Sequence, residues 1–146
     1  MTHVSDSIKA FFEDFDRANN AFDPQLLGPH LSDPFVGADP HGNVVVLKKD
    51  DFLAGIKERQ EYLHTLGFRF VKVVPLEETP LGDRYLMVKT HGIMRLEEIP
   101  GQPVDLVHDS AYILFIDDGA PRIVFALGHE DPQKMLQEQG VSPVEP

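Results

Sequence analysis

The sequence predicts an α+β fold, on three observations. Helical periodicity is confined to the first half, four long strand-like runs follow one another in the second half with no helix between them, and Gly- and Pro-containing turns separate those runs. With 146 residues, 42% of them hydrophobic, the chain has the size of one ordinary globular domain, expected over 1–140 with a loose tail over 141–146.

From Ser5, the positions Ile8, Phe11, Phe12, Phe15 and Phe22 recur at helical spacing opposite Glu13, Asp14, Asp16 and Arg17, an amphipathic helix with an aromatic stripe. Asp23-Pro24 restarts a helix, with an acidic N-cap and proline at the first helical position, and Gly28-Pro29 stops it. Residues 33–39 read as a short strand, Asp39-Pro40-His41-Gly42 as its turn, and 44–47 as the returning strand. Asp50 is placed to cap a third helix running to about His64, with Phe52, Leu53, Ile56 and Leu63 on one face and Gly67 as its left-handed stop. The predicted strands then span 68–78, 84–97, 104–116 and 122–130; Pro75 assigns the first of them to a sheet edge, where a missing amide donor does no harm. A short helix over 132–139 ends at Gly140.

Composition excludes several functions. There are 24 acidic against 13 basic side chains, a net charge of −11, so the average field repels phosphate backbones and anionic lipid; neither nucleic acid nor membrane is an expected partner. No apolar run approaches the roughly 20 residues that span a bilayer, and the opening MTHVSDSIKAFFEDF carries acids where a signal peptide is basic and then apolar. The absence of cysteine removes disulfides, thiolate metal sites and thiol nucleophiles, and fits a cytoplasmic address.

Reflecting the strands through their turns gives the first candidate site. The loop centred on Pro100 sets residue 91 opposite 109, and the turn centred on Gly119 sets 109 opposite 129, so His91, Asp109 and His129 form one row across the sheet. A histidine beside a carboxylate makes a base that works near neutral pH. A one-residue slip exchanges Asp109 for His108 and brings Ser110 and Tyr112 to the same side. Two histidines and an aspartate, or three histidines, can also ligate a divalent metal, but no tightly spaced metal motif is present, and a cofactor-free site is expected. The competing reading is that these groups are sheet residues that satisfy one another. Phe12, Phe15, Tyr62, Phe70, Tyr112 and Phe125 are candidates for the wall of an apolar pocket, with Asp33 and Asp39 at its mouth; at helical spacing an aromatic stripe is also ordinary core. Strands apolar on both faces need two covers, and the helices supply only one, so a homodimer is expected.

The element order, and above all the segment SDPFVGADPHGNVVVLKKDDFLAGI, resembles the nuclear-transport-factor-2-like (NTF2-like) α+β family over about residues 5–139. That resemblance implies a strongly curved mixed or antiparallel sheet wrapped around three N-terminal helices, a cone with a pocket inside. It also implies a SnoaL-like or ketosteroid-isomerase-like function. The expected protein is a binder of a small apolar molecule, running cofactor-free isomerisation, cyclisation or dehydration with a His or Asp base, or a non-catalytic ligand-binding or dimerisation module. Asp33-Pro34 with Gly37 is similar to the isomerases' aspartate segment, which makes Asp33 a candidate base. One residue more separates Pro34 from Gly37 than in that segment, and Phe11, Phe12 and Phe15 stand where the isomerases carry a tyrosine on the first helix.

Overall fold

The computed structural model describes residues 3–128 and 131–138. Helix α1 (Asp6–Ala21) starts at Ser5, whose hydroxyl accepts from the Ile8 amide, and ends at Phe22 in the left-handed conformation. Asp23 accepts from the Gln25 amide to cap α2 (Pro24–Leu27), which runs into a 3-10 turn at Gly28–His30. Strands β1 (Leu31–Ala38) and β2 (Val44–Leu47) form the expected hairpin.

The third predicted helix is two helices, α3 (Lys49–Ala54) and α4 (Ile56–Thr65), broken at Gly55. Asp50 is not its cap. Lys48 occupies that position without a side-chain bond, and the acceptor comes from the neighbouring strand: the Asp33 carboxylate takes the Lys49 amide at 3.0 Å. Gly67, at φ 75°, ends α4 as expected, and close approach also requires a glycine there, because a Cβ would lie 2.3 Å from the Glu97 carbonyl.

Strands β3 (Phe68–Leu81), β4 (Tyr85–Leu96), β5 (Val104–Phe115) and β6 (Arg122–Leu127) follow, then α5 (Pro132–Glu138); the expected C-terminal tail lies outside the described residues. The six strands form one curved, unclosed sheet in the order β2-β1-β6-β5-β4-β3, antiparallel except where β1 runs parallel to β6.

Strand alternation decides what each face carries. Leu86, Val88, Thr90, Met94 and Leu96 of β4 and Leu106, Ser110 and Leu114 of β5 are buried on the inner face, under α1 and α4. The Phe11, Phe12 and Phe15 stripe of α1 packs there with Ile8, Leu31, Phe35 and Ile123, while Leu63, Leu66, Met94, Leu96, Leu106 and Leu136 close a second cluster. Phe12 is fully buried, and truncating such a side chain to alanine costs about 3–5 kcal/mol.

The two sheet edges are treated differently. Along the free edge of β3, Asp16 of α1 accepts from the Val73 amide at 2.9 Å, Asn20 bonds both the amide and the carbonyl of Val71 at 2.8 and 2.9 Å, and the Glu78 amide reaches the His3 carbonyl. Pro75, on the same edge, has no donor to satisfy. At the other edge Val44, Val45 and Val46 of β2 are exposed.

Candidate functional site

The expected pairing of His91 with Asp109 is present: they are register partners, and His91 Nδ1 lies 3.0 Å from the carboxylate. Their parity puts them on the outer face of the sheet, with side chains 39% and 86% exposed. The reason is the alternation of β4, whose apolar positions Leu86, Val88, Met94 and Leu96 are even-numbered and turn inward, and so turn His91 out. The third member of the row, His129, lies outside the described residues. Asp33 is exposed and caps α3 through the Lys49 amide.

The inner face encloses a cavity. Between α1, α4, the β1–β2 hairpin and the inner surface of β5 and β6 lies a cavity of about 590 Å³, walled by Phe15, Phe22, Phe35, Phe52, Ile56 and Ile123 among others. Its polar lining consists of Asn19, Asp39, Asn43, Arg59, His108 and Tyr112. Of the predicted pocket residues, Phe15, His108 and Tyr112 line it. Phe12 is packed behind it in the core, and Tyr62 stands outside on α4. Phe70 is on the outer face beneath the Arg95 guanidinium, 5.0 Å from its ring centre, and Phe125 is on the outer face opposite Ile113.

Register separates the polar groups into two ends. Tyr112 pairs with Ala126 and Gly37 with Ala126, so Tyr112 sits at the level of the hairpin body, whereas Ala38 pairs with Leu127 and Asp39 follows at the level of Gly128. His108 is four residues from Tyr112 on the same face of β5, about 13 Å along the strand. It therefore belongs with Asp39 and Asn43 at the far end. Arg59 joins them through α4: one turn on, the Tyr62 hydroxyl donates to Asp131, three residues beyond Gly128. The His108 ring lies against Gly92, where a Cβ would come within 2.6 Å of its Cε1.

Burial tunes these groups. Burial, and then the charge of Asp16, pushes the Tyr112 phenol up to about 12, so at neutral pH it is a protonated donor; its ring packs on Phe12 and Phe15 at 5.4 and 5.8 Å. Desolvation raises Asp16 itself to about 6 against the lowering effect of the Val73 amide bond. Desolvation also lowers the pKa of Arg59, opposed by Tyr62; a guanidinium nevertheless keeps its charge. Tyr62 rises to about 12, first by burial and then by its bond to Asp131. Asp39 is held below the usual carboxylate range by Asn43 and His41, within its own turn. Among the described residues no three His, Asp or Glu side chains group to hold a metal ion.

No family model and no curated relative matches the sequence. Solved structures do match in shape. An NTF-2 like protein of unknown function from Shewanella oneidensis MR-1 superposes with a TM-score of 0.67 at 15% identity, over 86% of this chain and 98% of that one. A ketosteroid isomerase-like protein from Erwinia carotovora atroseptica SCRI1043 gives 0.63 at 16% identity, over 86% and 95%. An NTF2-like protein with a cystatin-like fold from Novosphingobium aromaticivorans gives 0.65 at 11%, over 90% and 85%. The chain has the NTF2-like, cystatin-like fold.

Proposed function

We propose that this chain is a ligand-binding domain that takes a small, largely apolar molecule into the inner-face cavity. The observation that carries this reading is the distribution of the lining: an aromatic and aliphatic barrel with polar groups at its two ends and a volume of about 590 Å³, within the usual range for small-molecule sites. Acid and base partners acting on one reacting atom must converge within hydrogen-bond reach. Here His108 and Tyr112 are anchored about 13 Å apart on one strand, a spacing that suits the two ends of a ligand better than a single reacting centre. Filling the cavity tests this. Ala126 lines it opposite Tyr112, so Ala126→Trp should abolish binding of a neutral apolar fluorophore such as 1-aminonaphthalene, followed by fluorescence, with the fold retained by circular dichroism. Unchanged affinity would put the ligand elsewhere.

A second reading is isomerase-like proton transfer in the same cavity, favoured by the imidazole of His108 in its wall. Its base is His108 and not the outer-face pair. Exchange of deuterium into a carbonyl compound bound in the cavity, lost in His108→Ala, is the expected signature; equal exchange in the variant removes the base.

We further propose that the outer face meets a second copy of the chain. Met87, Ile93, Ala111, Ile113 and Phe125 are only partly covered there, Val107 is 50% exposed, and the His91–Asp109 and Arg95–Asp105 pairs rim the patch. Sedimentation should give a dimer that Ile113→Glu dissociates; a monomeric parent would refute it.

A further inference from the structure

We propose that the molecule held in the cavity is an amphipathic carboxylate, with its head on the Arg59 guanidinium and its apolar body running toward Tyr112. The inference rests on the ligand-binding reading above and adds the chemical class.

Arg59 is the anomaly of α4. It lies three residues from Ile56 and four from Leu63, on the face that those two residues bury, and it lines an apolar cavity. Arg59 is exposed at the rim of that lining, where its guanidinium can meet a ligand's charge without itself being buried. Among the described residues, the carboxylates nearest that end are engaged otherwise. Asp39 accepts from the Asn43 amide at 3.0 Å, the Asn43 side chain at 2.7 Å and the His41 amide at 2.8 Å. Asp131 accepts from the Tyr62 hydroxyl. Among the described residues Arg59 has no ion-pair partner, and its planar fork matches a carboxylate in two parallel bonds.

The net charge of −11 is no obstacle, because screening at physiological salt limits the general field to about 8 Å while a guanidinium in the cavity lining acts at contact. At the other end Tyr112 offers a protonated hydroxyl that makes no hydrogen bond among the described residues, ready for a carbonyl or hydroxyl on the tail of the ligand. The class is therefore a monocarboxylate with a flat or chain-like apolar body.

Calorimetry with matched acid and amide pairs tests it: 1-naphthylacetate against 1-naphthylacetamide, and octanoate against octanamide. Each acid should bind about tenfold or more tightly than its amide, as expected for a charge-assisted bond. In Arg59→Gln the two should fall within about twofold, the amide affinity being unchanged, and Arg59→Lys should restore part of the difference. Amides that bind as well as acids, or a preference that survives in Arg59→Gln, would overturn the carboxylate class and leave the cavity reading standing. If neither member of either pair bound to the parent chain, both readings would fall. The acid-to-amide ratio of the parent needs no variant, so it stands even if Arg59→Gln does not fold.

Discussion

Gly92 of β4 and His108 of β5 are register partners, and the absent side chain of the glycine is the space that the imidazole occupies. The direction of the ring into the cavity is thus set from behind. A methyl at Gly92 would lie 2.6 Å from His108 Cε1, and the ring must turn away to admit it. Gly92→Ala should weaken ligand binding about tenfold and cost about 1–3 kcal/mol of stability, as overpacking does. Titration calorimetry together with urea unfolding checks both; unchanged affinity would show that the position of the imidazole is immaterial.

Asp16 gives a stability prediction with a defined sign. Folding raises its pKa from the ordinary 3.8 to about 6, so the folded chain binds this proton more tightly than the unfolded one. Its contribution is present in full below 3.8 and is lost as pH rises to about 6. Asp16→Asn keeps the acceptor for the Val73 amide and removes the desolvated charge. The variant should match the parent near pH 4 and exceed it above pH 7 by about 1 kcal/mol after discounting for its half-exposed position, a few degrees in Tm. A pH-independent difference would refute the assignment.

The outer-face pair predicts a dissociation of effects. His91→Ala and Asp109→Asn should leave ligand affinity within about twofold of the parent, because neither residue reaches the cavity, and should change stability by no more than about 1 kcal/mol, as for exposed pairs. Binding isotherms decide it. A loss of binding in either variant would mean that the ligand sits on the outer face.

Asp33 caps α3 through the Lys49 amide. Asp33→Ala should lower stability by about 1 kcal/mol, the usual effect of losing an N-terminal acceptor, with the loss concentrated in amide exchange of α3. Exchange rates in α3 equal to those of the parent would exclude the capping role.

The fold was readable because its signals are local. Turn midpoints at Pro100 and Gly119 gave the observed registers of β4 with β5 and of β5 with β6 around Tyr112, since the register of an antiparallel pair follows from its turn. Facing was harder. The even positions of β4 announce their direction, but β5 and β6 are apolar on both sides, so the sequence leaves the facing of Asp109 and His108 open. Arg59 belongs to no motif, and its place at helical spacing between Ile56 and Leu63 gains a meaning only from its position beside the cavity. The cap from Asp33 to Lys49 is a tertiary contact across 16 residues, and no local pattern encodes it.

The unequal edges of the sheet limit how copies can join. Hydrogen bonding of strand to strand requires bare backbone, and among the described residues the side chains of Asp16 and Asn20 occupy that backbone on β3, leaving only the valine-rich margin of β2. Two molecules meeting at that margin would use up their one adhesive border each and present sealed borders outward. Accretion by this route stops at a pair and does not propagate into a fibre.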